Sequence, residues 1–220
     1  MHLHFMTEDP SGEKLVECIA QKLFALQPSF TYEIKGYHGL GGFTRKNTIK
    51  ETRTGKLLND LATVLDGLNK KYAGVPNYPF AVIVVVDNDD RDTEQFREEL
   101  EAVAKGKNIS IDHAFCIAVE EMEAWLLGDK NAVKAAYPHA KTDVLNDYEQ
   151  DSICGTWEVL ANAIYQGGMK KLKKESHHEI GNLKCEWAEK IGEHMEIEQN
   201  ESPSFQFFIS EFRKRIEAVA

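Results

Sequence analysis

Residues 80–86, Phe-Ala-Val-Ile-Val-Val-Val, make an unbroken apolar run, mostly β-branched, that stops at Asp87-Asn-Asp89-Asp90-Arg91-Asp92. With Pro79 before it and carboxylates after it, so short a run predicts a strand buried on both faces, as in a parallel sheet. Open parallel sheets bind ligands in the crevice beyond the carboxyl ends of their strands, and Asp87 and Asp89 stand at that end. Two residues apart in extended chain, their side chains leave on the same side. At about 4 Å their repulsion approaches about 4 kcal/mol at an effective dielectric near 20. A divalent cation would offset it; the plainer role for the same aspartates is to cap a helix that starts near Thr93.

The rest of the chain supplies the sheet that this strand requires. A first short strand begins by Leu3 and runs into Glu8 and Asp9; Pro10 or Ser11 opens a helix that extends to about Leu26, with Glu13 in its positive first turn. Phe30–Tyr37 alternates and predicts a second strand. A helix from about Lys56 to Tyr72 precedes the central strand, another from about Thr93 to Ala104 follows it, and Ala114–Ala118 is the fourth strand. The alternation of strand and helix predicts an α/β fold, a parallel sheet with helices on both faces, covering residues 1–129. Residues 130–220 read as a helical C-terminal extension packed on that core, with helices at Trp157–Gln166, Leu183–His194 and from about Ser204 to Val219.

Composition narrows the partners. The 220 residues carry a net charge of −10, which argues against a passive nucleic-acid coat but not against an enzyme with local basic patches. Two such patches stand out: Arg45, Lys46, Lys50, Arg53 and Lys56, and then Lys170-Lys171-Leu-Lys173-Lys174. The longest apolar run is too short to span a bilayer. A strand that begins by Leu3 leaves no room for a signal peptide, and Cys18, Cys116, Cys154 and Cys185 are scattered without pairing. We therefore expect a reduced, cytoplasmic chain.

Acidic residues fall at three strand ends: Glu8, then Asp87 with Asp89, then Glu121 with Glu123. A glutamate after the first strand and an Asp-x-Asp after a later apolar strand resemble the Toprim domain of topoisomerases, primases and OLD-family nucleases. More closely, the chain resembles the bacterial family catalogued as domain of unknown function 4276. The resemblance rests on Thr7-Glu8-Asp9-Pro10-Ser11, on Val86-Asp87-Asn88-Asp89, and on Ala118-Val-Glu-Glu121-Met-Glu123-Ala-Trp125-Leu-Leu-Gly128-Asp129. It continues through Gly181-Asn-Leu-Lys184-Cys-Glu-Trp187-Ala188, His194-Met195 and Asn200-Glu-Ser202-Pro203-Ser204-Phe205.

That resemblance implies a Toprim-like, Rossmann-like core and hydrolysis of phosphodiesters. Glu8 would be metal ligand or general base, with Asp87 and Asp89 holding Mg²⁺ or Mn²⁺ and Glu121 or Glu123 completing a second metal site. Nucleic acid is the implied partner, together with a companion protein from a neighbouring gene and a role in phage or mobile-element defence. The alternative is a non-catalytic regulatory module that binds metal, nucleotide or protein. For substrate contact the candidates are Arg45, Lys46, Lys184 and His194, since cations near a phosphate stabilise its charge. Trp187, Ser202 and Phe205 fit packing of the C-terminal helices better than a role in the site.

Some patterns carry less. On a continuous helix from Val119, Glu121 and Glu123 would flank the apolar face about 100° to either side, so both could not point at one metal. His177, His178, Cys154 and Cys185 fit no zinc-finger spacing. Gly39, Gly41 and Gly42 follow the second strand and lack the Gly-Lys-Ser/Thr ending of a phosphate loop, so they mark a turn.

Overall fold

The computed structural model describes residues 1–42 and 55–218. Four strands, β1 (His2–Thr7), β2 (Thr31–Gly36), β3 (Phe80–Asp87) and β4 (Asp112–Ala118), pair in parallel in the order β2-β1-β3-β4. Between them run the helices α1 (Pro10–Leu26), α2 (Leu57–Tyr72) and α3 (Thr93–Gly106). The chain leaves β1 towards one edge of the sheet and returns on the other side of β1 to form β3. The carboxyl ends of β1 and β3 are therefore the switch point of the topology, the place where open α/β sheets bind ligands.

Period-two alternation divides the sheet's side chains between two cores. Leu3, Phe5, Ala81, Ile83, Val85, Ala114 and Cys116 face α1 and the C-terminal helices. Met6, Val82, Val84, Val86, Phe115 and Ile117 face α2 and α3. β3 is buried from Phe80 to Val86, as its uninterrupted apolar sequence requires when helices cover both faces.

After β4 the chain is helical: α4 (Glu123–Leu127), α5 (Lys130–Ala136), α6 (Thr142–Asp147), α7 (Thr156–Ile164), α8 (Gly168–Leu172), α9 (His177–His194), a 3-10 turn at Ile197–Gln199, and α10 (Pro203–Glu217). This extension is built into the first core. Trp125 stacks on Phe208 at 5.0 Å and donates its indole N–H to Ser204 at 2.8 Å, and Phe5 meets Phe212 at 5.1 Å. Trp187 and Phe205 are buried, and Ser202 caps α10, so these residues pack the helices together. Residue 129, the expected boundary, is itself a joint: buried Asp129 caps α5 and accepts from the Glu196 N–H at 2.9 Å.

α9 begins six residues before the expected Leu183, because Ser176 and Glu179 form a capping box at its start. It lies along α1, where Lys14 pairs with Glu189 at 3.4 Å and Lys22 donates to the Glu193 carbonyl at 2.8 Å. At Gly192 an added Cβ would meet Cys18 Sγ at 3.1 Å, so a larger residue would push the two helices apart. No helix among the described residues is long and apolar enough to cross a membrane.

Candidate functional site

The switch point collects acid. β1 ends at Thr7, and the next residue, Glu8, turns its carboxylate onto the neighbouring strand end: Oε2 accepts from the Asp87 N–H at 3.2 Å and Oε1 from the Leu40 N–H at 3.1 Å. Leu40 reaches it because the turn after β2 folds back through Gly39, at φ 104°, whose N–H donates to the Glu8 carbonyl at 2.8 Å. Burial pushes Glu8 up to about 7, and Asp9 and Asp89 add to the rise against the opposing effect of its two N–H donors. Burial also raises Asp87 well above the usual carboxylate range, and repulsion from Glu8, Asp9 and Glu123 reinforces it.

Asp9, next to Glu8 in the chain, also belongs to this cluster. Its side chain caps α1, accepting from the Gly12 N–H at 2.8 Å and from Ser11 Oγ at 2.9 Å. An aspartate directly before Pro10, with the proline as first residue of the helix, is the signal that could have found it.

The other aspartates correct the extended-chain expectation. β3 stops at Asp87 and Asp89 adopts a left-handed φ of 50°, so the chain between them is not the extended strand that the spacing assumed. Asp89 is exposed and pairs with Arg91 at 2.7 Å. Neither caps the following helix: Asp92 does, accepting from the Gln95 N–H at 2.8 Å. Asn88 between them is fully buried and acts as a clasp. Its Nδ2 donates to the Arg91 carbonyl and to Thr93 Oγ1, both at 2.8 Å, and its Oδ1 accepts from the Glu120 N–H.

Glu121 and Glu123 also differ from expectation, because residues 119–122 are not helical. Glu120 takes a φ of 61°, and α4 starts only at Glu123. With the helix broken there, both glutamates turn to one cation: Lys184 Nζ, from α9, lies 3.2 Å from Glu123 Oε1 and 3.8 Å from Glu121 Oε1. Glu123 is only 3% exposed, and its Oε2 has no hydrogen-bond partner among the described residues. Burial pushes Glu121 up to about 7, with Lys184 opposing and Glu123 adding to the rise. Burial pulls the Lys184 ammonium down, but Glu123, Glu121, Asp87 and Asp9 outweigh it and hold the proton on more tightly than usual.

Sequence reading had not singled out Glu120, whose role is structural. Its carboxylate accepts from the N–H groups of Cys154 at 3.1 Å, Gly155 at 2.7 Å and Thr156 at 2.9 Å, and from the Thr156 hydroxyl. Burial pulls its pKa upward, yet these bonds hold it below the usual range. They fix the start of α7 beside the cluster, where the Trp157 N–H donates to Glu121 Oε2 at 3.0 Å.

His194 is not part of this cluster. It is exposed at the far end of α9, next to the Glu193 that contacts Lys22, and ten residues of helix put it about 15 Å from Lys184. Arg45 and Lys46 lie outside the described residues, as do Lys50 and Arg53. Lys170, Lys171, Lys173 and Lys174 are exposed around α8. Cys154, His177 and His178 are also exposed, and all four cysteines are free.

No group of three or more His, Cys, Asp or Glu side chains among the described residues forms a ready metal cage. The donors present do suit a hard cation that needs few protein ligands. Mg²⁺ is commonly held by one or two carboxylates, its remaining positions filled by water and substrate phosphate. The carboxylates of Glu8 and Asp87, both raised first by burial and then by neighbouring carboxylates, and the unpartnered Oε2 of Glu123 are oxygen donors of that kind. Comparison of the chain with protein-family models, with curated proteins and with solved structures found no match.

Proposed function

We propose that this chain is a metal-dependent phosphodiester hydrolase, a nuclease of Toprim-like type, acting on nucleic acid in the cytoplasm. The reading follows the likeness to domain of unknown function 4276. One observation carries it: the fold's switch point brings Glu8 and Asp87 together at adjacent strand ends. Glu8 and Asp87 are the residues that would hold Mg²⁺ or Mn²⁺, with Asp89, Glu121 and Glu123 beside them. The ion would polarise a phosphoryl oxygen and acidify a water.

The chain's own groups supply the rest. Where Asp87 alone holds the ion, Glu8 takes a proton from the attacking water at a carboxylate oxygen as the water oxygen bonds to phosphorus and the P–O bond to the leaving group breaks; solvent protonates the leaving oxygen. Lys184 turns its ammonium from Glu123 and Glu121 to a non-bridging phosphate oxygen and stabilises the charge that gathers there.

One observation favours the second reading, a non-catalytic binding module: Lys184 already neutralises part of the acid without any metal. Mn²⁺ binding followed by electron paramagnetic resonance, together with cleavage of single- and double-stranded DNA, RNA and bis(p-nitrophenyl) phosphate in Mg²⁺, Mn²⁺ or EDTA, separates the two. Metal-dependent cleavage that Asp87→Asn abolishes is the expected result. Tight Mn²⁺ binding with no turnover on any of these substrates would replace the first reading by the second.

A further inference from the structure

We propose that the pocket beside the carboxylate cluster is a nucleobase subsite, with Trp157 as its stacking platform and a preference for bases that carry an exocyclic amino group. The inference rests on the hydrolase reading for its phosphate site but makes separate predictions. The pocket has a volume of about 270 Å³, and its walls include Trp157, Asp90, Glu121, Gly155 and Glu158. That is just below the range of drug-sized sites and suits one planar ring system. Trp157 is half-buried, packed in part against the first core and in part lining the pocket, whereas Trp125 and Trp187 are buried outright.

The wall chemistry points to a ligand edge rich in donors. Glu120 is consumed by α7 and Asp89 by Arg91. The side chains of Asp90 and Glu158 make no hydrogen bond or ion pair among the described residues, which leaves them as acceptors on the pocket wall. Cytosine N4, adenine N6 and guanine N1 and N2 present N–H donors to such carboxylates. Uracil presents one N–H between two carbonyl oxygens, which the carboxylates repel.

The pocket and the cluster are joined through shared residues. Lys184 Nζ lies 5.3 Å from the Trp157 ring centroid, and Glu121 both lines the pocket and accepts from the Trp157 N–H. A nucleotide, whose base and phosphate are one sugar apart, spans both places: base on the indole, phosphate at Lys184. Since a paired base hides this edge, the occupant is an unpaired or flipped nucleotide.

The test is titration of the full chain with CMP, AMP, GMP, UMP and inorganic phosphate in Mn²⁺, read by calorimetry. We expect UMP to bind at least tenfold more weakly than CMP. Trp157→Ala should weaken CMP about tenfold to a hundredfold, far more than it weakens inorganic phosphate, and preserve the main-chain bond to Glu121; Trp157→Phe should restore most of the affinity. Equal binding of UMP and CMP, or CMP binding unaffected by Trp157→Ala, overturns the subsite. So does guanidinium or spermidine that binds here more tightly than CMP. If metal-dependent cleavage of bis(p-nitrophenyl) phosphate persists in those cases, the hydrolase reading stands alone. Base-selective binding without any cleavage leaves the subsite standing and removes the hydrolase.

Discussion

Replacing Asp87 by Asn should make the metal-free protein more stable at pH 8, even though it removes a residue central to the proposed chemistry. In the folded chain Glu8 and Asp87 are both raised, so each binds its proton more tightly than in the unfolded chain. For a carboxyl group shifted in that direction, stability is highest below the ordinary value and falls as pH climbs through the folded-state value. For Glu8 the window runs from 4.5 to about 7. At 1.36 kcal/mol per pH unit that interval has a ceiling of about 3 kcal/mol. Solvent at a partly exposed rim screens part of it, and the burial component at Glu8 survives the substitution.

Burial and repulsion from Glu8, Asp9 and Glu123 oppose ionisation of Asp87, and removing that charge should stabilise the variant by about 2 kcal/mol, within the ~1–3 kcal/mol that an uncompensated buried polar group costs. For a chain of this size that is about 4–8 °C in Tm. Asparagine keeps the shape of the side chain, and the main-chain N–H that Glu8 accepts from is untouched. Thermal melts by circular dichroism in EDTA at pH 5, 6, 7 and 8 measure the effect. The wild-type chain should lose stability across this range relative to Asp87→Asn, with the curves meeting near pH 5. Adding Mg²⁺ or Mn²⁺ at pH 8 should restore the wild type and not the variant. An Asp87→Asn chain no more stable than wild type at pH 8 in EDTA would refute the premise that these carboxylates are held together against their repulsion.

Two further perturbations test the groups around the pair. Lys184→Met strips the ammonium from buried Glu123 and should cost about 3–5 kcal/mol by urea denaturation at pH 8, with a smaller deficit at pH 5, below the raised value of Glu121; a loss below about 1 kcal/mol would mean that the cluster does not depend on it. Glu120→Gln should loosen the start of α7, since an amide has one acceptor oxygen for the donors of Cys154, Gly155 and Thr156. Hydrogen exchange of those amides should accelerate at least tenfold, a local loss of about 1.4 kcal/mol or more, and unchanged exchange would show that the loop holds itself.

The sheet was legible because its signals are periodic and local. The run from Phe80 to Val86 could only be a strand covered on both sides, and the helices around it show apolar faces in sequence. Glu8 and Asp87 were legible for the same reason: each stands where a predicted strand stops. The departures come from single left-handed residues. Asp89 and Glu120 both turn the chain at positive φ, and neither aspartate nor glutamate announces this as glycine would. A left-handed Asp89 sends its carboxylate to Arg91, and a left-handed Glu120 delays α4 until Glu123. The short helices α5, α6 and α8 are too brief for their spacing to register.

Lys184 shows what kind of information local sequence lacks. Nothing in the spacing of α9 distinguishes this lysine from a solvated one; it matters because α9 lies along α1, and α1 begins at the acidic edge. That alignment is set by side chains more than a hundred residues apart, Lys14 with Glu189 and Cys18 against Gly192. The same alignment carries His194 away from the site by the length of the remaining helix. Two cationic side chains on one helix thus separate into one at the carboxylates and one at the far surface. The C-terminal helices accordingly do more than cover the sheet: the register of α9 against α1 decides which cation the acidic strand ends receive.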